Sequence, residues 1–122
     1  MEFQVDIWLR GTNHATTEVL APVPREAVAW TDADVAAVLA AMLRALERAS
    51  NPAATDDRPV ALRGFSWIVN PFEDGGVVIA LELSLGAVVG GPFDVAAGAL
   101  SATIERVLRD DRAARGERAT VH

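Results

Sequence analysis

The sequence contains no cysteine, no lysine and no tyrosine, and only two of its 122 residues are histidine. Without cysteine there is no disulfide, iron–sulfur cluster, thiolate zinc site or cysteine nucleophile. All 11 basic residues are arginine, and the 17 acidic residues give a formal net charge of −6. A net negative charge repels phosphate groups and does not suit a broad phosphate-binding surface, so we expect no nucleic-acid partner. We attribute the missing lysine, beside abundant alanine, to codon bias in a GC-rich bacterial genome.

The sequence also lacks a long apolar run and a basic leader. The longest apolar stretch, 77–89, is interrupted by Glu82, Ser84 and Gly86, which makes it too short and too polar to cross a bilayer. Acidic side chains at Glu2 and Asp6 do not fit a secretory signal. We therefore expect a cytoplasmic protein with no membrane partner.

What the chain does have is the composition of a globular protein. Hydrophobic residues make up 51% and charged residues 23% of the sequence, which is enough apolar surface for one packed core. From residue 110 onward, charged and small residues alternate without an apolar face. We expect a single domain over 1–109 and a frayed, charged C-terminal tail over 110–122.

Alternation of apolar and polar residues predicts the strands. It is clearest in the first strand, where Phe3, Val5 and Ile7 point to one face and Asp6 and Trp8 to the other. Glycines at 75 and 76 predict a hairpin turn between the last two strands. The predicted strands cover 2–10, 60–70 and 77–89, with a possible further strand over 15–21.

Two helices follow from spacing and from end signals. Thr31 with Asp34 three residues later predicts a capping box, and apolar residues then recur every three to four positions up to Ser50. The glycines and proline at 90–92 predict the end of a strand, with a second helix beginning near Phe93.

The order strand, possible strand, helix, hairpin, helix predicts an α+β two-layer sandwich. We expect an antiparallel sheet of three to four strands with both helices on one face. Two helices cover only one side of such a sheet, so the other side must face solvent or a partner.

Aromatic and basic residues are predicted on that open face. The charge of Arg63 places Phe65 and Trp67 on the open side of their strand, beside Trp8 and Arg10 of the first strand. Exposed apolar patches mark interfaces, and Trp and Arg are enriched among the residues that dominate binding. In the alternative interpretation, Phe65 and Trp67 point to the helices and Trp8 is a lone exposed aromatic.

Few residues offer catalytic chemistry. His14 lies in a polar segment with Glu18, and a carboxylate that orients a histidine could make it a general base. The same segment also reads as a solvated turn. Glu82, in the middle of an apolar strand, is expected to pair with Arg63 or Arg10 across the sheet. We predict no metal site and no cofactor, because no set of ligands has the required spacing.

These observations favour a non-catalytic module that self-associates, by default as a dimer, or binds a protein partner through its open sheet face. Accessory, assembly, inhibitor and immunity proteins share this profile. Two alternatives remain. The first is a binder of a flat aromatic small molecule, stacked on tryptophans at an oligomer interface. The second is a small enzyme that uses His14.

Overall fold

The computed structural model describes residues 1–53, 60–73 and 75–120, and of residues 115–120 only the helical backbone. The chain forms five strands and two helices, with a short 3₁₀ turn at Ala27–Ala29. In chain order the elements are β1 (Phe3–Leu9), β2 (Thr16–Leu20), α1 (Asp32–Ser50), β3 (Ser66–Pro71), β4 (Val77–Leu83), β5 (Gly86–Phe93) and α2 (Ala97–Thr120).

The five strands form one antiparallel sheet in the order β2-β1-β5-β4-β3. Hairpins join β1 to β2, β3 to β4 and β4 to β5, as expected for antiparallel strands close in sequence. The pairing of β1 with β5, in which Ile7 is opposite Val88, joins the β1–β2 hairpin to the three strands β3, β4 and β5. Strand β5 therefore lies at the centre of the sheet, and β2 and β3 form its edges.

The predicted α+β class is confirmed, but the expected three to four strands are too few. Residues 77–89 are not one strand: β4 ends at Leu83, and a turn at Ser84 and Leu85 leads into β5. Leu85 continues the alternation of β4 into the turn, where its side chain is 37% exposed, so the sequence shows no break at the end of β4. The segment 90–93 belongs to β5, and α2 begins at Ala97 rather than near Phe93.

Helix α1 begins as predicted. The Thr31 hydroxyl accepts a hydrogen bond from the backbone N–H of Asp34 at 3.1 Å, and the Asp34 carboxylate accepts one from the backbone N–H of Thr31 at 3.0 Å. Asp34 also forms a bidentate ion pair with Arg25, both N–O distances being 2.7 Å. The Arg25 guanidinium holds the pKa of this buried carboxyl far below its usual range. The capping box and the end of α1 at Ser50 are both confirmed.

Helix α2 spans Ala97–Thr120 and is joined to α1 by an ion pair. The Arg106 guanidinium forms a bidentate ion pair with Asp32 at 2.8 Å, and this pair lowers the pKa of Asp32. It joins α2 to the first turn of α1, where a carboxylate is also favoured by the helix dipole.

The buried side chains form one cluster between the sheet and the helices. Buried residues that lie opposite one another on neighbouring strands share one face of the sheet, as Ile7, Val88 and Leu81 do. Both helices pack on that face, α1 over β1, β2 and β5, and α2 over β3. In the part of the chain that the structure describes, neither helix combines the length and apolarity needed to cross a membrane.

Candidate functional site: the open face of the sheet

The face of the sheet opposite the helices is the largest uncovered surface that the strand register defines. We call it the open face. Side chains on it follow the register row by row, so that Trp8, Ala87, Glu82 and Ser66 lie side by side across four strands. The open face comprises Gln4, Asp6, Trp8, Thr17, Val19, Ser66, Ile68, Asn70, Val78, Ala80, Glu82, Ala87, Val89 and Gly91.

An apolar strip crosses the middle of the open face. Val89 of β5 and Ala80 of β4 are half-buried, and they continue to Ile68 on β3, which is 52% exposed. On β1 the residue opposite Val89 is Asp6, and the indole of Trp8, which is 41% exposed, lies diagonally beside Val89 in the next row. Single exposed apolar residues are ordinary, but a contiguous strip flanked by polar groups is typical of a binding surface.

The predicted positions of Phe65 and Trp67 are wrong. Trp67 is opposite Leu81, which is buried, and both aromatic side chains pack against the core on the helix side. The prediction assumed that Arg63 belongs to the same strand as Phe65 and Trp67. Arg63 instead precedes β3, which begins only at Ser66, and Gly64, which follows Arg63, has a φ of +81°. Gly64 turns the chain, so the exposure of Arg63 does not fix the faces of β3.

The inverted assignment also hid Ile68, which follows Trp67 and therefore lies on the opposite face of β3, the open face. The alternation of 66–71 was correct in period, so only the choice of face failed. Phe65, Trp67 and Arg63 instead line a small cleft of about 250 Å³ with Leu108 and Arg112 of α2. Of the five residues predicted for partner binding, the structure brings only Trp8 and Arg10 together at the open face.

Arg10 extends from the end of β1 over the β4–β5 turn. Its backbone N–H donates to the carbonyl of Leu85 at 3.0 Å, and its Nε donates to the carbonyl of Ser84 at 2.9 Å. The Nε bond directs the side chain over the turn. The terminal amino groups of the guanidinium have no hydrogen-bond or ion-pair partner among the described residues.

Glu82 is exposed on β4 and does not form the expected ion pair. No residue in the described part of the chain bonds to its carboxylate, so the predicted pairing with Arg63 or Arg10 is wrong. The reason is that Arg63 lies outside the sheet and the Arg10 Nε is bonded to a turn carbonyl. The open face thus has one carboxylate and one guanidinium that are both available to an external group.

Two shallow clefts meet at Arg10 and Glu82. The first, of about 320 Å³, lies beside the Trp8 indole, with Gly86 and Ala87 in its lining. The second, of about 420 Å³, extends toward Gly64 and Phe65. The first cleft stays open because Ala87, the residue opposite Trp8 on β5, has only a methyl side chain.

The structure does not bring His14 and Glu18 into a catalytic arrangement. His14 is exposed between β1 and β2, whereas the Glu18 carboxylate forms an ion pair with Arg48 of α1. That pair fastens the edge strand β2 to the helix layer, which gives Glu18 a structural role. No group of three or more histidine, aspartate or glutamate side chains that could hold a metal ion occurs within the described residues.

Comparisons of this chain with protein-family models, with curated proteins and with solved structures found no match. The site is therefore interpreted from its own residues.

Proposed function

We propose that the chain is a non-catalytic interaction module that binds another protein chain through the open face. The observation that supports this most directly is the apolar strip from Trp8 to Ile68, which the helices of the chain leave uncovered. A sheet with one solvated face ordinarily alternates apolar and polar residues. Here the solvated face has Val89, Ala80 and Ile68 in a single row.

The shape of the open face also supports a protein as the partner. Five strands about 4.8 Å apart and about 20 Å long cover roughly 500 Å², which is the footprint of a small protein interface. An apolar centre with a polar rim is the usual anatomy of such interfaces. Gln4, Asn70 and Glu82 supply that rim.

A flat aromatic small molecule is a second candidate, favoured by the cleft beside Trp8. Its volume of about 320 Å³ is at the lower end of the range for ligand sites. Stacking between two tryptophans of one chain has no support, because Trp67 packs on the helix side and Trp30 lies edge-on against Phe93. An absorbance spectrum of the purified protein that shows a band beyond 300 nm would favour this candidate over a protein partner.

Site-specific photo-crosslinking tests the proposal in cells that express the full chain. We expect benzoylphenylalanine at position 68 to give a discrete adduct, because Ile68 belongs to the apolar strip. The matched control is the same residue at position 28, since Val28 is even more exposed, at 79%, but lies on the 3₁₀ turn. Adding Trp8→Ser should abolish the adduct at 68. Absence of an adduct at 68, or equal adducts at both positions, would contradict the proposal.

A further inference from the structure

The cleft between α2 and the loop before β3 lies on the helix side of the sheet and combines an apolar floor with a cationic rim. It encloses about 250 Å³. We call it the arginine cleft. Six side chains line it: Leu62, Arg63, Phe65, Trp67, Leu108 and Arg112. The four apolar and aromatic ones are half-buried and pack against the core, and the two arginines are exposed.

The arginine cleft follows from the spacing of residues on two elements. Phe65 and Trp67 are two positions apart, so both rings lie on the helix side at the start of β3. Leu108 and Arg112 are four positions apart on α2, which makes them neighbours on one face of the helix. Because α2 packs over β3, the two rings and the helical pair border the same space. Arg63 closes it from the loop.

The two arginines of the cleft lack a compensating charge. Neither Arg63 nor Arg112 has a hydrogen-bond or ion-pair partner among the described residues, and no described residue in the lining is acidic. Arg25, Arg48 and Arg106, in contrast, each bind a carboxylate of the chain. Two like charges at one cleft repel each other, and an anion between them turns that repulsion into attraction. The arginine cleft is therefore a positive site in a chain of net charge −6.

We propose that the arginine cleft binds a small aromatic anion, a single planar ring that bears a carboxylate or a phosphate group. The ring packs against Phe65 and Trp67, since aromatic side chains offer large apolar surfaces and favour other rings. The anionic group accepts hydrogen bonds from Arg63 and Arg112, whose planar guanidiniums match carboxylate and phosphate oxygens. This site does not depend on the proposed function of the open face.

The size of the arginine cleft sets the size of the ligand. Sites for drug-sized molecules begin at about 300 Å³, and this cleft is slightly smaller. A mostly apolar lining with a few polar groups that fix the orientation is the usual composition of a small-molecule site. A one-ring acid has enough surface to cover both aromatic side chains and to reach both arginines.

Nuclear magnetic resonance of the purified full chain tests the proposal, because its three tryptophans give three indole N–H signals. Trp67 lines the arginine cleft, whereas Trp8 lies on the open face and the Trp30 indole donates to the Arg25 carbonyl at 2.8 Å. Titration with phenylacetate or phenyl phosphate should shift the Trp67 signal to saturation and leave the other two in place. We expect a dissociation constant on the order of 1 mM for probes of about ten non-hydrogen atoms. The tighter probe identifies the anionic group as carboxylate or phosphate.

Arginine variants test the role of the rim. Arg63→Gln and Arg112→Gln should each weaken binding at least about fivefold, because each removes a charge-assisted hydrogen bond. Arg109→Gln is the matched control, since Arg109 is an exposed arginine of α2 outside the lining, and it should bind as the wild type does. All three positions are exposed, so the unfolding midpoints should not change.

Three results would overturn the proposal. The first is a Trp67 signal that neither probe shifts at concentrations up to tens of millimolar. The second is equal binding of benzyl alcohol, a neutral one-ring probe, which would leave the arginines without a role. The third is equal binding of inorganic phosphate alone, which would leave the aromatic walls without one. None of these results bears on the open face, which crosslinking at position 68 tests separately.

Discussion

Truncation of Phe93 to alanine is expected to destabilise the fold by about 3–5 kcal/mol, the usual cost of removing a buried aromatic side chain. Phe93 is fully buried, and its ring lies edge-on to Phe3 and Trp30 at centroid distances of 4.9 and 5.0 Å. The truncation therefore loses two aromatic contacts besides leaving a cavity. Stability of a domain this size is about 5–15 kcal/mol, so a large part of it is lost.

Urea unfolding measures this loss, with a lower midpoint and an unchanged slope. The matched control is Phe72→Ala, which makes the same chemical change at a side chain that is 41% exposed in the β3–β4 turn. The turn itself is held by the backbone bond from Phe72 N–H to the Gly76 carbonyl, at 3.0 Å, which survives the substitution. We expect a loss below about 1 kcal/mol there. Equal losses at both positions would show that Phe93 is not part of the core.

Gly86→Ala is expected to cost about 3 kcal/mol, because it adds one methyl group where two strands meet most closely. A Cβ at this position would lie 2.1 Å from the carbonyl oxygen of Trp8 and 3.0 Å from the Cα of Leu9. The φ of +154° is also one that side-chain-bearing residues rarely adopt. Strain and overpacking each contribute about 1–3 kcal/mol in such cases.

Gly98→Ala is the control for this substitution. Gly98 lies in α2 with no atom within 4 Å of an added Cβ, so alanine should stabilise the fold by about 0.5 kcal/mol through helix propensity. Urea midpoints of the two variants should therefore move in opposite directions. A neutral Gly86→Ala would mean that β1 and β5 are not paired in the register described.

How much of this fold could be predicted depends on whether a signal is local. The capping box at Thr31 and Asp34 and the alternation of β1 depend on neighbouring residues, and both predictions are confirmed. The possible strand over 15–21 is confirmed as β2. The pairing of β1 with β5 joins strands that are about eighty residues apart in the sequence, and no local pattern encodes it.

The candidate site was predicted only in part for the same reason. Alternation gives the period of a strand but not which side is buried, so one residue outside the strand, Arg63, was enough to invert β3. Trp8 was placed correctly because four apolar residues on the opposite side of β1 fix its face. The free carboxylate of Glu82 could not be foreseen, since its neighbours across the sheet follow from the strand order.

Sedimentation velocity of the wild type and of Trp8→Ser, over the same range of concentrations, tests most directly whether the open face is an interface. The wild type should shift from a 12.9 kDa monomer toward a dimer as concentration rises. Trp8→Ser should remain monomeric with an unchanged unfolding midpoint, because loss of a central tryptophan costs about 2 kcal/mol or more of binding, roughly thirtyfold in affinity. If both proteins show the same association, or both remain monomeric throughout, the open face does not pair with itself through Trp8.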